Sequence, residues 1–344
     1  MTLLERRAAI TKSQTNGMKN LYDRLKAVGY DRTFVRECVL PDWWSDDLAS
    51  VPANRAQAEI AIARHFGFRV ADLRDRTRPL NVSRVPNVRL RRRHGTTEQQ
   101  VAPTVVVARR AAELVAESAG DLPTFGPLVL ASAARTAILR NSAHVDLASL
   151  LNYCWSHGVL VVPLTRIPTG GKKIHGLATF VGGRPAVVLA SGHDSPPWIA
   201  FHLAHELGHI MCGHVRTGGE LLVDHDLDKK DGDEQEQDAD RFACELLTGE
   251  LSPAFDPIRG LTAEKLARAA LRYGEARRIA PGTVVLIYGR SANRFPAAQS
   301  ALKFLGQDAG AREQIVAALR AVLCPDELPE TTARFLSGCV GLAG

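Results

Sequence analysis

Two histidines and a glutamate near residue 205 have the types and spacing of a zinc-dependent hydrolytic site. His205 and His209 are four residues apart, so in an α-helix both imidazoles lie on one face and can bind the same metal ion. Glu206 follows the first histidine on the adjoining face. In such a pattern the carboxylate takes a proton from a water whose pKa zinc lowers to about 7. The spacing therefore indicates a hydrolytic nucleophile formed at neutral pH.

A catalytic zinc ion also needs a third protein ligand and an open fourth position. A third histidine of the metzincin type is excluded, because Cys212 and Val215 occupy the places of the glycine and the last histidine of that pattern. A glutamate on a later helix is the alternative. Glu236 fits this role, with Glu234 and Asp238 as substitutes.

Asp240 is four residues beyond Glu236, so a helix would place both carboxylates on one face. From there Asp240 can accept a hydrogen bond from the outer nitrogen of a ligand histidine and fix its tautomer. Solvation of an acidic helix start is the alternative explanation for this cluster. Because two histidines and a glutamate accept several divalent ions, we expect Zn²⁺, with Mn²⁺ or another divalent metal as a substitute.

Two helices are predicted to carry these residues. Ser195-Pro196-Pro197 is a helix-start signal, and the first helix is expected to cover Trp198 to Cys212. Within it, the small Gly208 lets another element approach. An acidic loop from Asp224 leads into the second helix, which is expected to end at Gly249.

A small sheet is predicted directly before the first of these helices. Three β-rich segments, with a Gly182-Gly183 turn between the second and the third, are typical of antiparallel strands. They are Val159–Pro163, Gly176–Val181 and Ala186–Ala190. The predicted fold class is α+β: mainly helical, with the small antiparallel sheet packed on the active-site helix and a helical domain at the N-terminus.

The N-terminal part is predicted to be a compact helical unit over residues 18 to 78. Its helices are expected at Met18–Val28, Asp31–Cys38 and Asn54–Phe66, with Asn54 as N-cap and Gly67 as the stop. Short helices joined by tight turns fit a helix-turn-helix domain that binds DNA, although no recognition helix stands out.

Positive charge is concentrated in the same region. Residues 1–110 contain 21 Lys and Arg against 11 Asp and Glu, a net charge of +10, whereas the whole chain carries +6. This asymmetry suggests contact with nucleic acid, and a soluble arginine-rich domain explains it equally well. Within the segment Leu80–Thr97, the candidate nucleic-acid contacts are Arg89, Arg91, Arg92 and Arg93.

The predicted organisation has four parts: a helix-turn-helix-like domain (1–80), a basic linker (81–102), a metallopeptidase domain with its preceding helices (103–295) and a C-terminal helical segment (296–344). Helices are expected at Pro103–Glu117, Gly126–Asn141, Asp146–His157 and Ala311–Leu323, and a strand at Thr283–Tyr288. The chain starts without a signal-peptide pattern and lacks an apolar run long enough to span a bilayer, so we expect a cytoplasmic protein without a membrane segment. The six dispersed cysteines are expected to be reduced.

The site residues and the segment Glu236–Leu247 together resemble the ImmA/IrrE family of metallopeptidases. That family pairs a His-Glu-x-x-His helix with a helix of the form Glu-x-x-Ala-Asn-x-Phe-Ala-x-x-Leu-Leu. The resemblance covers approximately Leu150 to Arg290 and includes Ile174–Phe180 and Arg184–Leu189, which look like the family's strand pair. Asp240 replaces the family's asparagine, and Thr248-Gly249 replaces its Met-Pro.

The resemblance implies a metallo-endopeptidase that cleaves a helix-turn-helix transcriptional repressor and thereby relieves repression of stress, defence or mobile-element genes. A basic helical N-terminus is consistent with that arrangement. Five side chains are candidate donors to the oxyanion formed during cleavage: His202, His214, His225, Tyr288 and Arg290. Spacing does not choose among them, and strand-end packing is an alternative role for the last two.

Two functions of other classes remain open on the sequence. The chain could be a DNA-binding transcription regulator whose peptidase-like domain is a sensor without turnover, or an antitoxin-like binding protein. DNA binding that survives metal loss, with no cleavage of a partner, is the observation that would favour the regulator.

Overall fold

Helices form most of the chain in this computed structural model, which describes residues 18–82, 88–90, 98–171, 174–215, 221–224, 234–323 and 328–342. In the first half of the chain, the helices are α1 (residues 18–27), α2 (Arg32–Cys38), α3 (Pro52–Phe66), α4 (Val70–Arg74), α5 (Glu98–Ser118), α6 (Ala131–Leu139) and α7 (Leu147–Ser156). In the second half they are α8 (Pro196–Met211), α9 (Glu234–Thr248), α10 (Ala263–Arg277), α11 (Pro281–Ser291), α12 (Phe295–Phe304), α13 (Ala311–Val322) and α14 (Glu330–Val340). Within the described ranges, no helix is long and apolar enough to cross a membrane.

A five-stranded sheet lies among these helices. Its strands are β1 (Val88–Leu90), β2 (Leu160–Pro163), β3 (Gly176–Val181), β4 (Arg184–Leu189) and β5 (Leu221–Asp224), in the order β1-β5-β3-β4-β2. Strands β2, β3 and β4 are buried almost throughout, because α5 packs against all three, α8 packs against β3 and β4, and α7 and α13 pack against β2. The predicted α+β class is therefore confirmed.

The sheet is mixed rather than purely antiparallel. The Gly182-Gly183 turn joins β3 and β4 in the predicted antiparallel hairpin, and both glycines have positive φ. Strand β2, however, pairs parallel to β4, and β1 pairs parallel to β5. The chain between the parallel strands β2 and β4 forms a crossover that contains β3. The alternation of apolar and polar residues within a strand does not indicate whether its partner is parallel or antiparallel.

The N-terminal helices lie where the sequence predicts them, with one correction. Helix α3 begins at Pro52 after the N-cap residue Val51, not at Asn54, because proline fits the first turn of a helix without losing a hydrogen bond. Gly67 ends the helix in the left-handed conformation, as predicted. The buried residues of α1 to α3 belong to the same hydrophobic cluster as those of α5 and α14.

The segment predicted as a basic linker contains regular structure in two of its described parts. The backbone of Arg89 lies in β1 and pairs with Leu222, and α5 already begins at Glu98. Arg91, Arg92 and Arg93 lie outside the described residues. Nucleic-acid contact by this segment therefore stays a prediction.

Two other sequence predictions need correction. The helix predicted over Gly126–Asn141 covers only Ala131–Leu139. The predicted strand Thr283–Tyr288 is part of helix α11, which begins at Pro281. Its β-branched run favours a strand locally, but Val284, Val285 and Tyr288 are buried against α10 and α12 at helical spacing, and this packing outweighs the local preference.

Candidate metal centre

Helix α8 presents the two histidines and the glutamate inside the protein. It begins at Pro196, and nearly every residue after the first turn is buried. As a result, His205, Glu206 and His209 are only 1%, 2% and 1% exposed. Burying polar groups costs free energy unless partners compensate for the lost water, so three together mark a specific site.

Three ligand atoms from α8 and α9 converge at this place. Nε2 of His205 lies 3.1 Å from Nε2 of His209, and the two carboxylate oxygens of Glu236 lie 3.3 Å from one or the other of these nitrogens. Ligands at about 2.0–2.2 Å from a tetrahedral zinc ion are themselves about 3.3–3.6 Å apart. The donor set and its spacing therefore fit a divalent metal ion.

The outer nitrogens of both histidines contact further polar groups. Nδ1 of His205 lies 3.0 Å from Oδ1 of Asp240, and Nδ1 of His209 lies 3.0 Å from Nδ1 of His214. Nε2 of His214 is in turn 3.9 Å from Asp238. Protons on Nδ1 of His205 and His209 satisfy these contacts. Both Nε2 lone pairs then face the Glu236 carboxylate, as metal ligation requires.

Close packing of α9 on α8 brings Glu236 to the histidines. A β-carbon at Gly208 would lie 3.0 Å from both Cα and the carbonyl oxygen of Ala239, closer than side chains normally approach backbone. Glycine therefore allows the approach that the sequence predicts at this position. Glu236 is in the first turn of α9, where the helix dipole stabilises a negative charge.

Strand β3 forms the wall beside Glu206. A β-carbon at Gly176, the first residue of β3, would lie 2.8 Å from both Cδ and Cγ of Glu206. The glycine thus provides the space that the glutamate side chain occupies. Sequence reasoning placed Gly176 in a strand but gave it no role at the site.

His202 is one turn before Glu206 on α8 and is 4% exposed. Its ring stacks on that of His175, with the ring centres 5.2 Å apart. Burial, together with the nearby His175, His205 and His193, lowers the pKa of His202 well below its usual value. The ring is therefore neutral at pH 7.

The two oxyanion candidates on α11 differ in accessibility. Tyr288 is 4% exposed, and its hydroxyl accepts a hydrogen bond from the backbone N–H of Ile258. The side chain of Arg290 is 54% exposed and lies 3.7 Å from Oδ2 of Asp240. Arg290 therefore places a positive charge beside the ligand cluster, and more than half of its side chain is accessible to a substrate. His225, a further candidate, lies outside the described residues.

Arg135 is a buried residue, in contact with the far end of α9, that the sequence analysis did not single out. Its guanidinium donates hydrogen bonds to the carbonyls of Leu246 and Leu247 at the end of α9, and of Arg277 and Arg278 at the end of α10. It thereby caps two helices at once. These partners are more than 100 positions away in sequence, so no local signal could have indicated the role.

Comparison with known proteins adds one finding. Residues 198–272 match the sequence model of the family described as Peptidase U49. The matched segment contains α8 and α9 and so includes the whole ligand cluster. No curated protein and no solved structure matches the chain. The match supports peptidase activity, with a protein as the class of substrate.

Proposed function

We propose that this protein is a zinc-dependent endopeptidase of the ImmA/IrrE type that cuts another protein of the cytoplasm. The observation that carries the proposal is the convergence of His205, His209 and Glu236 from two helices, inside the segment that matches a peptidase family. Mn²⁺ or another divalent ion is the substitute for zinc, since the donor set accepts several metals.

His205, His209 and Glu236 would hold the metal ion, which supplies Lewis-acid polarisation of the scissile carbonyl and a lowered pKa of the attacking water. Glu206 is the general base: it accepts the proton of that water and passes it to the leaving amine. Its burial and the wall formed by Gly176 restrict the rotamers of its carboxylate. A general base held in this way loses little further conformational entropy when the substrate binds.

Asp240 and His214 orient the two histidine ligands. Each accepts a hydrogen bond from the Nδ1 atom of one histidine, so each imidazole keeps the tautomer in which Nε2 bears a lone pair. This is a different role for His214 from the oxyanion contact suggested by the sequence. Asp238 continues the chain of polar groups behind His214.

Among the candidate oxyanion donors, Arg290 is the one we favour. It is more than half exposed and its guanidinium is positioned by Asp240, whereas Tyr288 and His202 are buried. A positive charge at this position can stabilise the negative charge that develops on the carbonyl oxygen of the scissile bond.

The substrate we propose is a helix-turn-helix transcriptional repressor, whose loss would derepress stress, defence or mobile-element genes. Support comes from the ImmA/IrrE-like motifs in the two site helices and from the net charge of +10 in residues 1–110, which would attract DNA or a DNA-bound partner. The segment with Arg89, Arg91, Arg92 and Arg93 is the proposed contact to nucleic acid.

Cleavage of the repressor encoded nearest to this gene tests the proposal. Wild-type protein and Glu206→Gln are each incubated with the purified repressor, and products are analysed by mass spectrometry. We expect a discrete cut with the wild type and at least about a thousandfold slower cleavage with Glu206→Gln. Intact repressor with both proteins, together with tight DNA binding that survives metal removal, would instead support the transcription regulator.

A further inference from the structure

An apolar pocket opens beside the ligand cluster, between helices α8, α9 and α11. Its volume is about 80 Å³. The walls include Trp198 and Phe201 from α8, Cys244 from α9, and Leu286 and Ile287 from α11. Nothing in the proposed chemistry uses these five side chains.

Two residues of the pocket wall lie beside the metal centre. The ring of Phe201 in its wall lies 6.5 Å from the ring of His205. Arg290 at the pocket lies 3.7 Å from Asp240, the residue that holds Nδ1 of the same histidine. A polypeptide whose scissile bond is at the ligand cluster therefore passes the pocket within about two residues of the cut, because successive Cα atoms are about 3.8 Å apart.

The lining of the pocket selects for apolar groups. Burial, together with the charge of Asp240, raises the pKa of Cys244 to about 11, so its sulfur stays a neutral thiol. Thr283 and Arg290 are the polar exceptions in the wall. An apolar cavity of about 150 Å³ holds a benzene molecule, so a pocket of half that size suits a branched aliphatic side chain better than an aromatic one.

We propose that this pocket is a specificity subsite that binds one aliphatic side chain of the substrate, of leucine, isoleucine, valine or methionine type, within two residues of the scissile bond. The inference rests on the proposed peptidase function. It adds the class of residue that the enzyme recognises.

Cleavage of an unfolded protein tests the specificity. Reduced and alkylated casein offers many sequences, and mass spectrometry identifies the residues on both sides of every cut. We expect leucine, isoleucine, valine and methionine together to be enriched at least about fivefold at one position within two residues of the cut. No enrichment at any flanking position would contradict the subsite.

Substitutions of Leu286 test whether the pocket causes that preference. Leu286→Ala enlarges the pocket, so the preference should shift from leucine towards phenylalanine. Leu286→Trp fills it, and the preference should shift to glycine and alanine. Leu271→Ala and Leu271→Trp are matched controls at a half-exposed leucine on α10 outside the pocket, and their profile should equal that of the wild type. An unchanged profile in folded Leu286→Ala would overturn the proposal.

A binding measurement separates failure of the subsite from failure of the peptidase. Trp198 lies in the pocket wall, so its fluorescence should respond to a bound ligand, and Trp198→Phe should abolish that response. N-acetyl-leucinamide should bind metal-stripped protein at least about tenfold more tightly than N-acetyl-glycinamide, because its side chain loses contact with water. Selective binding without any cleavage would refute only the peptidase, whereas cleavage with equal affinity for the two amides would refute the subsite.

Discussion

Gly176 lies directly against the carboxylate of Glu206, so that a β-carbon at residue 176 would stand 2.8 Å from Cδ of the glutamate. The first residue of β3 and the proposed general base are therefore fitted to each other. Strand β3 and helix α8 can approach each other this closely because residue 176 has no side chain. The position of the base thus depends on a residue 30 positions earlier in the chain.

Gly176→Ala should displace the carboxylate of Glu206 without removing the metal ligands. We expect the cleavage rate to fall at least about tenfold, since misplacing a catalytic group by about 1 Å can cost a hundredfold, while metal content stays at the wild-type level. Gly120→Ala is the matched control, because a β-carbon there meets open space. Equal rates for the two variants would show that Gly176 does not position the base.

Asp240→Ala should weaken metal binding. His205 then loses the partner of its Nδ1 atom, and such partners of metal-binding histidines typically contribute 10–100-fold in affinity. Asp240→Asn keeps a hydrogen-bond acceptor and should lose less. The measurement is competition for Zn²⁺ with a chelating dye. Wild-type affinity in Asp240→Ala would contradict the orienting role.

His65 should make stability depend on pH. Burial, with the nearby Arg110 and Arg64, lowers the pKa of His65 from 6.5 to about 3, and its neutral ring stacks on Phe335. In the unfolded chain His65 is therefore protonated below about pH 6.5, whereas in the folded protein it is protonated only below about pH 3. The contribution of the neutral His65 ring to the free energy of unfolding is fully present above pH 6.5. It is lost as pH falls, by up to about 1.4 kcal/mol per pH unit.

Urea unfolding at several pH values between 7.5 and 4.5 measures this effect. His65→Leu should show a smaller loss of unfolding free energy per pH unit than the wild type. His157→Leu, which replaces an exposed histidine at the end of α7, should keep the wild-type slope. Parallel curves for His65→Leu and the wild type would mean that His65 does not couple protonation to unfolding.

Arg135→Met should lower the free energy of unfolding by about 2–4 kcal/mol, because it leaves buried carbonyls at the ends of α9 and α10 without donors. Chemical denaturation provides the measurement. Arg140→Met on the exposed end of α6 is the control and should change stability by less than about 0.5 kcal/mol. Similar losses in both variants would argue against the double cap.

The sequence predicted those parts of the site that depend on local spacing. His205 and His209 share a helix face, and Glu236 and Asp240 share another, so periodicity alone places each pair. The two pairs come together through the packing of α9 on α8. Among the sequence features, only Gly208 indicated that another element packs there. His214 shows the limit: its backbone N–H bonds to the carbonyl of His209 just after α8, and this turn directs its ring to the ligand histidine.

The errors in the predicted fold also have physical causes. The Thr-Val-Val run of α11 has a strand preference that contacts with α10 and α12 outweigh. The parallel partners of β4 and β5 are distant in the chain, so alternation within a strand contains no information about them. The contacts of Arg135 are similarly long-range.

Metal content is the measurement that tests the central claim most directly. Wild-type protein, His205→Ala, Glu236→Gln and the control His157→Ala are purified without chelators and analysed for zinc, manganese and iron. We expect about one metal ion per chain in the wild type and the control, and at least about tenfold lower content in the two ligand variants. A wild-type protein that takes up no metal even when supplied with zinc, or full occupancy in His205→Ala, would contradict the proposed metal site.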